Sequence, residues 1–171
     1  MQDILRIAGI AKQSIVDGPG LRLTVFAQGC PHRCEGCHNP HTFDFEGGSA
    51  RTLDSILQDF DANPLLKGIT LSGGEPFAQP EQMATLAKAV KARGKDVVCY
   101  TGYTFEELME MRQTAPAVRE LLEQIDLLID GRFVLEKRDL TLRFCGSANQ
   151  RLLDLPASLA QGRAVDWIDA Y

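Results

Sequence analysis

The chain has 171 residues, 44% hydrophobic and 24% charged, with 18 basic against 23 acidic side chains and a formal net charge of −5. That length suits one domain, burying about 70% of its unfolded surface. The acidic balance, with no Lys/Arg block, argues against a nucleic-acid partner, and no apolar run approaches a membrane-spanning helix in length.

Met1 to Ile10 shows no basic segment followed by a long apolar core, so the expected compartment is the cytoplasm, whose reducing conditions suit an odd count of five cysteines. Leu21–Ala27 reads as a strand running into residues 28–50, a long loop rich in Gly, Pro, His and Asn. A helix is expected from Thr52 to about Phe60, with Leu53, Ile56, Leu57 and Phe60 on one face. Gly68–Ser72 is a short apolar strand ending in Gly73-Gly74-Glu75-Pro76. A helix from about Pro80 to Arg93 follows, with proline at its first turn and Gly94 just past its end. Asp96–Thr101 is a strand, Thr104 to Glu107 a capping box opening a helix, and Ala117–Gln124 is helical after Pro116. Leu127 to Ile129 makes a buried strand before Asp130-Gly131, while the pattern of Thr141–Tyr171 assigns no element. Such alternation builds a parallel sheet with crossover helices. Four strand–helix units are too few for an eightfold barrel, so the expected fold is α/β, a single domain over 1–171 forming an incomplete, TIM-like barrel.

Chemistry concentrates in the loop at 28–50. Cys30, Cys34 and Cys37 put three thiols within eight residues in a C-x3-C-x2-C pattern. Thiolates are the usual ligands of iron–sulfur clusters, which ordinarily take four; three would leave one iron open. Two other readings fit the same residues. Cys34 to His38 is formally C-x-x-C-H, the c-type haem attachment pattern, which needs export. The cysteines with His32, His38 or His41 would also suit tetrahedral zinc. Cys99 and Cys145 read as packed or half-buried thiols.

Gly73 and Gly74 lack a Cβ, so backbone there can approach a ligand, and Glu75 adds a carboxylate. Both loops follow strand ends, where α/β sheets gather their chemistry. A ligand ammonium would suit the second loop; an ordinary Gly-Gly turn with a surface glutamate is the bland alternative.

Together, Cys30-x3-Cys34-x2-Cys37 and Gly73-Gly74-Glu75-Pro76 resemble the radical S-adenosylmethionine enzymes. Asp17-Gly18-Pro19-Gly20-Leu21-Arg22 and the run from Gly29 to Asn39 are similar to the glycyl-radical-enzyme activases. Tyr100 to Leu108, Asp130-Gly131-Arg132-Phe133 and Gly146 to Arg151 narrow the resemblance to the activases of class III anaerobic ribonucleoside-triphosphate reductases. It implies one 4Fe–4S cluster per chain on Cys30, Cys34 and Cys37, its fourth iron chelated by S-adenosylmethionine. Gly73, Gly74 and Glu75 would sit beside the cofactor's ammonium, and Gly36 and His38, flanking Cys37, beside its adenosyl part. Gly36 replaces an aromatic residue common in the wider superfamily, which shifts base packing to His38. Cys145 stands where a basic residue is expected.

The implied reaction is reductive cleavage of S-adenosylmethionine to a 5′-deoxyadenosyl radical, which makes a glycyl radical on the large subunit of the reductase. The implied electron source is an external one-electron donor such as a flavodoxin or ferredoxin. No residue is assigned a catalytic acid–base or nucleophilic role. An activase of the pyruvate formate-lyase type and a non-catalytic iron–sulfur or zinc module remain as alternatives.

Overall fold

A computed structural model describes residues 3–168; residues 1–2 and 169–171 of the expected domain lie outside the described residues. One seven-stranded mixed sheet organises the chain in the order β3-β1-β2-β4-β5-β6-β7. Its strands are β1 (Ile4–Ser14), β2 (Arg22–Ala27), β3 (Ser49–Thr52), β4 (Gly68–Gly73), β5 (Asp96–Tyr100), β6 (Leu127–Asp130) and β7 (Arg151–Asp154). The helices are α1 (Leu53–Asp61), α2 (Pro80–Ala92), α3 (Phe105–Met111), α4 (Pro116–Gln124) and α5 (Leu155–Gln161).

Parallel pairing joins β2, β4, β5 and β6, the strands expected from sequence. The expectation of parallel strands throughout needs correcting. β1 runs antiparallel to both β2 and β3, and β7 antiparallel to β6. The sheet does not close, because β3 and β7 stay as its edges. β1 was missed because its burial loses the alternation of a half-buried strand after Ile7, running through Gly9, Lys12 and Gln13. β7 and α5 occupy part of the unassigned tail, where Asp154 caps the helix through the Ala157 amide and Pro156 starts it.

The expected helices form, two of them with side-chain caps. Thr52 accepts the Ser55 amide at the start of α1. Thr104 and Glu107 make the reciprocal capping box of α3. Helices α1 to α4 bury Ile56, Phe60, Leu86, Leu108 and Leu121 in one apolar cluster with Leu23, Val25, Ile69, Leu71, Val97 and Leu128 from the sheet.

Successive strand residues point to opposite faces. The other face of the central strands therefore carries Arg22, Thr24 and Phe26 on β2, Thr70 and Ser72 on β4, and Val98 and Tyr100 on β5. A smaller apolar cluster of Val98, Leu127, Ile129, Phe144 and Trp167 covers only its β5–β7 end. A cavity of about 860 Å³ borders the rest, reached by Phe26, Ser72 and Tyr100. Parallel sheets are ordinarily covered on both faces, so this open face is the place to look for a ligand.

Candidate metal centre

Parallel register brings the carboxyl ends of β2, β4, β5 and β6 to one edge of the sheet. From these ends spring the 28–48 loop, the Gly74–Glu75 turn, the Thr101–Thr104 turn and the 131–150 segment. The long loop is tied shut at its neck. Gly29 donates its amide to the Thr42 carbonyl at 2.7 Å, and the buried Gln28 amide donates to the carbonyls of His41 (3.0 Å) and Asp44 (2.7 Å). Inside that neck lie Cys30, buried, and Cys34 and Cys37, half-buried. The Cys37 amide donates to the Cys34 carbonyl, and the Asn39 amide to the Cys37 sulfur at 3.4 Å. Burial pushes the Cys30 thiol above its ordinary pKa, against smaller opposing effects of the His32 and Arg33 amides; a bound metal would reverse that preference by holding the thiolate.

All three cysteines border one pocket of about 150 Å³, together with His38, Ser72, Gly73, Gly74 and Phe133. Among the described residues no three His, Cys, Asp or Glu side chains converge on a single point. What the three cysteines share is the border of that pocket. Soft sulfur donors, three in number, fit a 4Fe–4S cluster with one iron left to another ligand. His38 and Asn39 border both this pocket and the larger cavity, so the two spaces adjoin.

Gly73 and Gly74 are required by backbone packing before any ligand is considered. At φ +91°, Gly73 sits so close to β2 that a Cβ would lie 2.4 Å from the Ala27 nitrogen. The Gly74 amide donates to the Ala27 carbonyl and the Glu75 amide to the Gly29 carbonyl, both at 2.8 Å. These bonds pin the turn after β4 against the root of the cysteine loop.

Glu75 is tied into the backbone around the pocket. Fully buried, it is absent from the pocket wall. One oxygen accepts from the Gly102 amide at 2.8 Å and lies 2.7 Å from His32 Nε2; the other accepts from the Phe77 amide at 2.9 Å. Thr101 donates to the same carboxylate. Glu75 thereby joins the cysteine loop, through His32, to the turns after β4 and β5. A side chain at Gly36 would meet Leu135 and Phe133, the latter a wall of the pocket.

Two motifs singled out by sequence prove to be braces. Arg22, fully buried, donates to Thr70 Oγ1 at 2.7 Å, to the carbonyls of Pro19 and Ile69, and to Asp96. Asp17 accepts from Ser14 and Thr24, while its carbonyl accepts from Thr70 at 2.7 Å. Together they fasten the β1–β2 connection across the foot of the open face. The 146–151 segment plays the same part for the residues after β6. Gln150 donates to the Gly131 carbonyl at 3.0 Å and Asn149 to the Arg132 carbonyl at 2.8 Å, and the Val134 amide donates to Ser147 at 3.2 Å. Sequence reading did not name Phe133 or Tyr100 as pocket residues, although both stand in the motifs quoted at 100–108 and 130–133, at the end of β5 and just past the end of β6.

Comparison with known proteins agrees with this geometry. The 4Fe-4S single cluster domain matches residues 16–153. The chain is 39% identical over 144 residues to the anaerobic ribonucleoside-triphosphate reductase-activating protein of Vibrio cholerae, covering 80% of this chain and 89% of that protein. The Escherichia coli K12 protein of that name is 37% identical over 145 residues (80% and 90% covered), and that of phage T4 36% over 144 (80% and 86%). With three cysteines gathered at one pocket and likeness running through most of both partners, the chain belongs to the anaerobic ribonucleoside-triphosphate reductase-activating protein family, built on a 4Fe-4S domain.

Proposed function

We propose that the chain is a radical S-adenosylmethionine activase that installs a glycyl radical on an anaerobic ribonucleoside-triphosphate reductase. Cys30, Cys34 and Cys37 would hold the cluster. When bound, the cluster and S-adenosylmethionine supply the chemistry: one-electron reductive cleavage gives methionine and a 5′-deoxyadenosyl radical, which takes a hydrogen atom from a glycine of the reductase's large subunit. The electron comes from an external donor of the flavodoxin or ferredoxin kind. The whole chain serves as one domain in the cytoplasm.

The observation that carries this reading is the common border of three thiols and the Gly73–Gly74 backbone on one pocket, opening beside a larger cavity. The protein's own work is placement. The Gln28 clamp and the Glu75–His32 contact hold the cysteine loop against the sheet. Backbone at Gly73 and Gly74 offers hydrogen-bonding groups to a cofactor's ammonium, with Glu75 acting through the turns it secures. His38 lies beside the adenosyl part. Fixing the reactants in this way converts encounter into orientation, which is where such sites gain rate. The same reading takes the open sheet as an incomplete, TIM-like barrel whose unclosed side admits a peptide glycine.

The test is an anaerobic assay of reduced, iron-loaded protein with S-adenosylmethionine and the partner reductase. The proposal requires 5′-deoxyadenosine together with a glycyl radical on the partner; formation of neither would sink it.

A further inference from the structure

Position 36, aromatic in much of the wider superfamily, is glycine here, and its backbone conformation disfavours any side chain. Gly36 has φ +75°, and a Cβ on it would lie 2.8 Å from Leu135 Cδ1 and 3.3 Å from Phe133 Cε1. The space is already filled by residues from beyond β6. Phe133 is half-buried, borders the cysteine pocket, and meets the His38 ring at 5.4 Å with the planes 65° apart. Rings at that angle cannot sandwich a flat base. They form a corner, in which a base lies on one ring and abuts the other.

Phe133 is also held with unusual care for an exposed turn. A Cβ on Gly146 would lie 3.1 Å from its ring, a contact tight enough that the ring would have to shift by a few tenths of an ångström. Its neighbours Gly131, Arg132 and Val134 each have a backbone group fixed by Gln150, Asn149 or Ser147. The 146–151 segment thus builds a rigid mount for one side chain.

We infer that Phe133 is the purine-contacting residue of this pocket, supplying from the β6 end the aromatic surface that Gly36 gives up. This rests on the reading that the pocket takes S-adenosylmethionine. Every base offers a π-face, and loss of one stacking partner weakens binding about tenfold or more.

The test is a base-deletion comparison on iron-loaded protein, kept anaerobic, measuring equilibrium binding of S-adenosylhomocysteine and of S-ribosylhomocysteine, which lacks the purine. Wild type should favour the first, Phe133→Leu should erase about tenfold of that preference at unchanged iron content, and Phe133→Tyr should keep it. An unchanged preference in Phe133→Leu, or equal weakening of both ligands, overturns the inference while leaving the proposed function standing. Wild-type protein that binds neither ligand overturns both.

Discussion

The two faces of the central strands differ by one residue of register and by everything that follows from it. On the helix-covered face Leu23, Val25, Ile69, Leu71 and Val97 are sealed in one apolar cluster. On the other, Thr24 and Thr70 are tied to Asp17 and Arg22, while Phe26 and Ser72 border a cavity of about 860 Å³. Stability is concentrated on the first face and at the braces, leaving the second free to present a cleft. The same strands then deliver their carboxyl ends, with the cysteines and Gly73–Gly74, to the edge between them.

That division is most severely tested at the cysteines. Cys34→Ala should lose cluster iron and abolish activity while keeping the far-ultraviolet circular dichroism of the wild type; turnover retained would remove Cys34 from the ligand set. Next in size is an adjacent pair on opposite faces. Leu71→Ala leaves a hole in the covered cluster and should cost about 2–5 kcal/mol, whereas Ser72→Ala, facing the cavity, should stay within about 0.5 kcal/mol. Denaturant titration reads both, and equal losses would erase the distinction between faces.

Glu75 joins the two regions. Glu75→Gln places an amide among donors that now all meet carboxylate oxygens, from His32, Thr101, Gly102 and Phe77. It should cost about 1–3 kcal/mol and slow iron loading, because the cysteine loop loses its tie. Normal stability with normal loading would show that tie to be idle.

The smallest effect belongs to the surface. Arg132 beside Glu107 holds that carboxyl down to about 2, aided by the Thr104 amide. A depressed folded-state pKa stabilises above the unfolded value near 4.5 and loses that contribution as pH falls toward 2. Both side chains are well exposed, so screening keeps it below about 1 kcal/mol. Urea midpoints at pH 5 and pH 3 should converge between wild type and Glu107→Gln; a gap that widens on acidification would reverse the sign.

Much of this was legible before any coordinates. β2, β4, β5 and β6 were found within a residue because each is a short apolar run with turn residues after it. The apolar face of Leu53, Ile56, Leu57 and Phe60 announced α1, and the Thr104–Glu107 capping box announced α3. The antiparallel outer strands β1 and β7 escaped, since one mixes polar with apolar residues and the other spans four residues in a polar tail. In the site, sequence drew attention to the cysteine loop and to the Gly73–Glu75 turn. The hydrogen-bond partners of Glu75 at residues 32 and 101–102 were not legible, because contacts that distant leave no local pattern. Phe133 stood in a quoted motif, but its place beside Gly36 and His38 is a contact across about a hundred residues that the motif does not show.

Electron paramagnetic resonance of anaerobically reduced protein, recorded with and without S-adenosylmethionine, tests the central claim most directly. A cluster held by Cys30, Cys34 and Cys37 alone should give a signal that changes on adding the compound. A signal that is indifferent to it would mean a fully ligated centre, and would contradict the account.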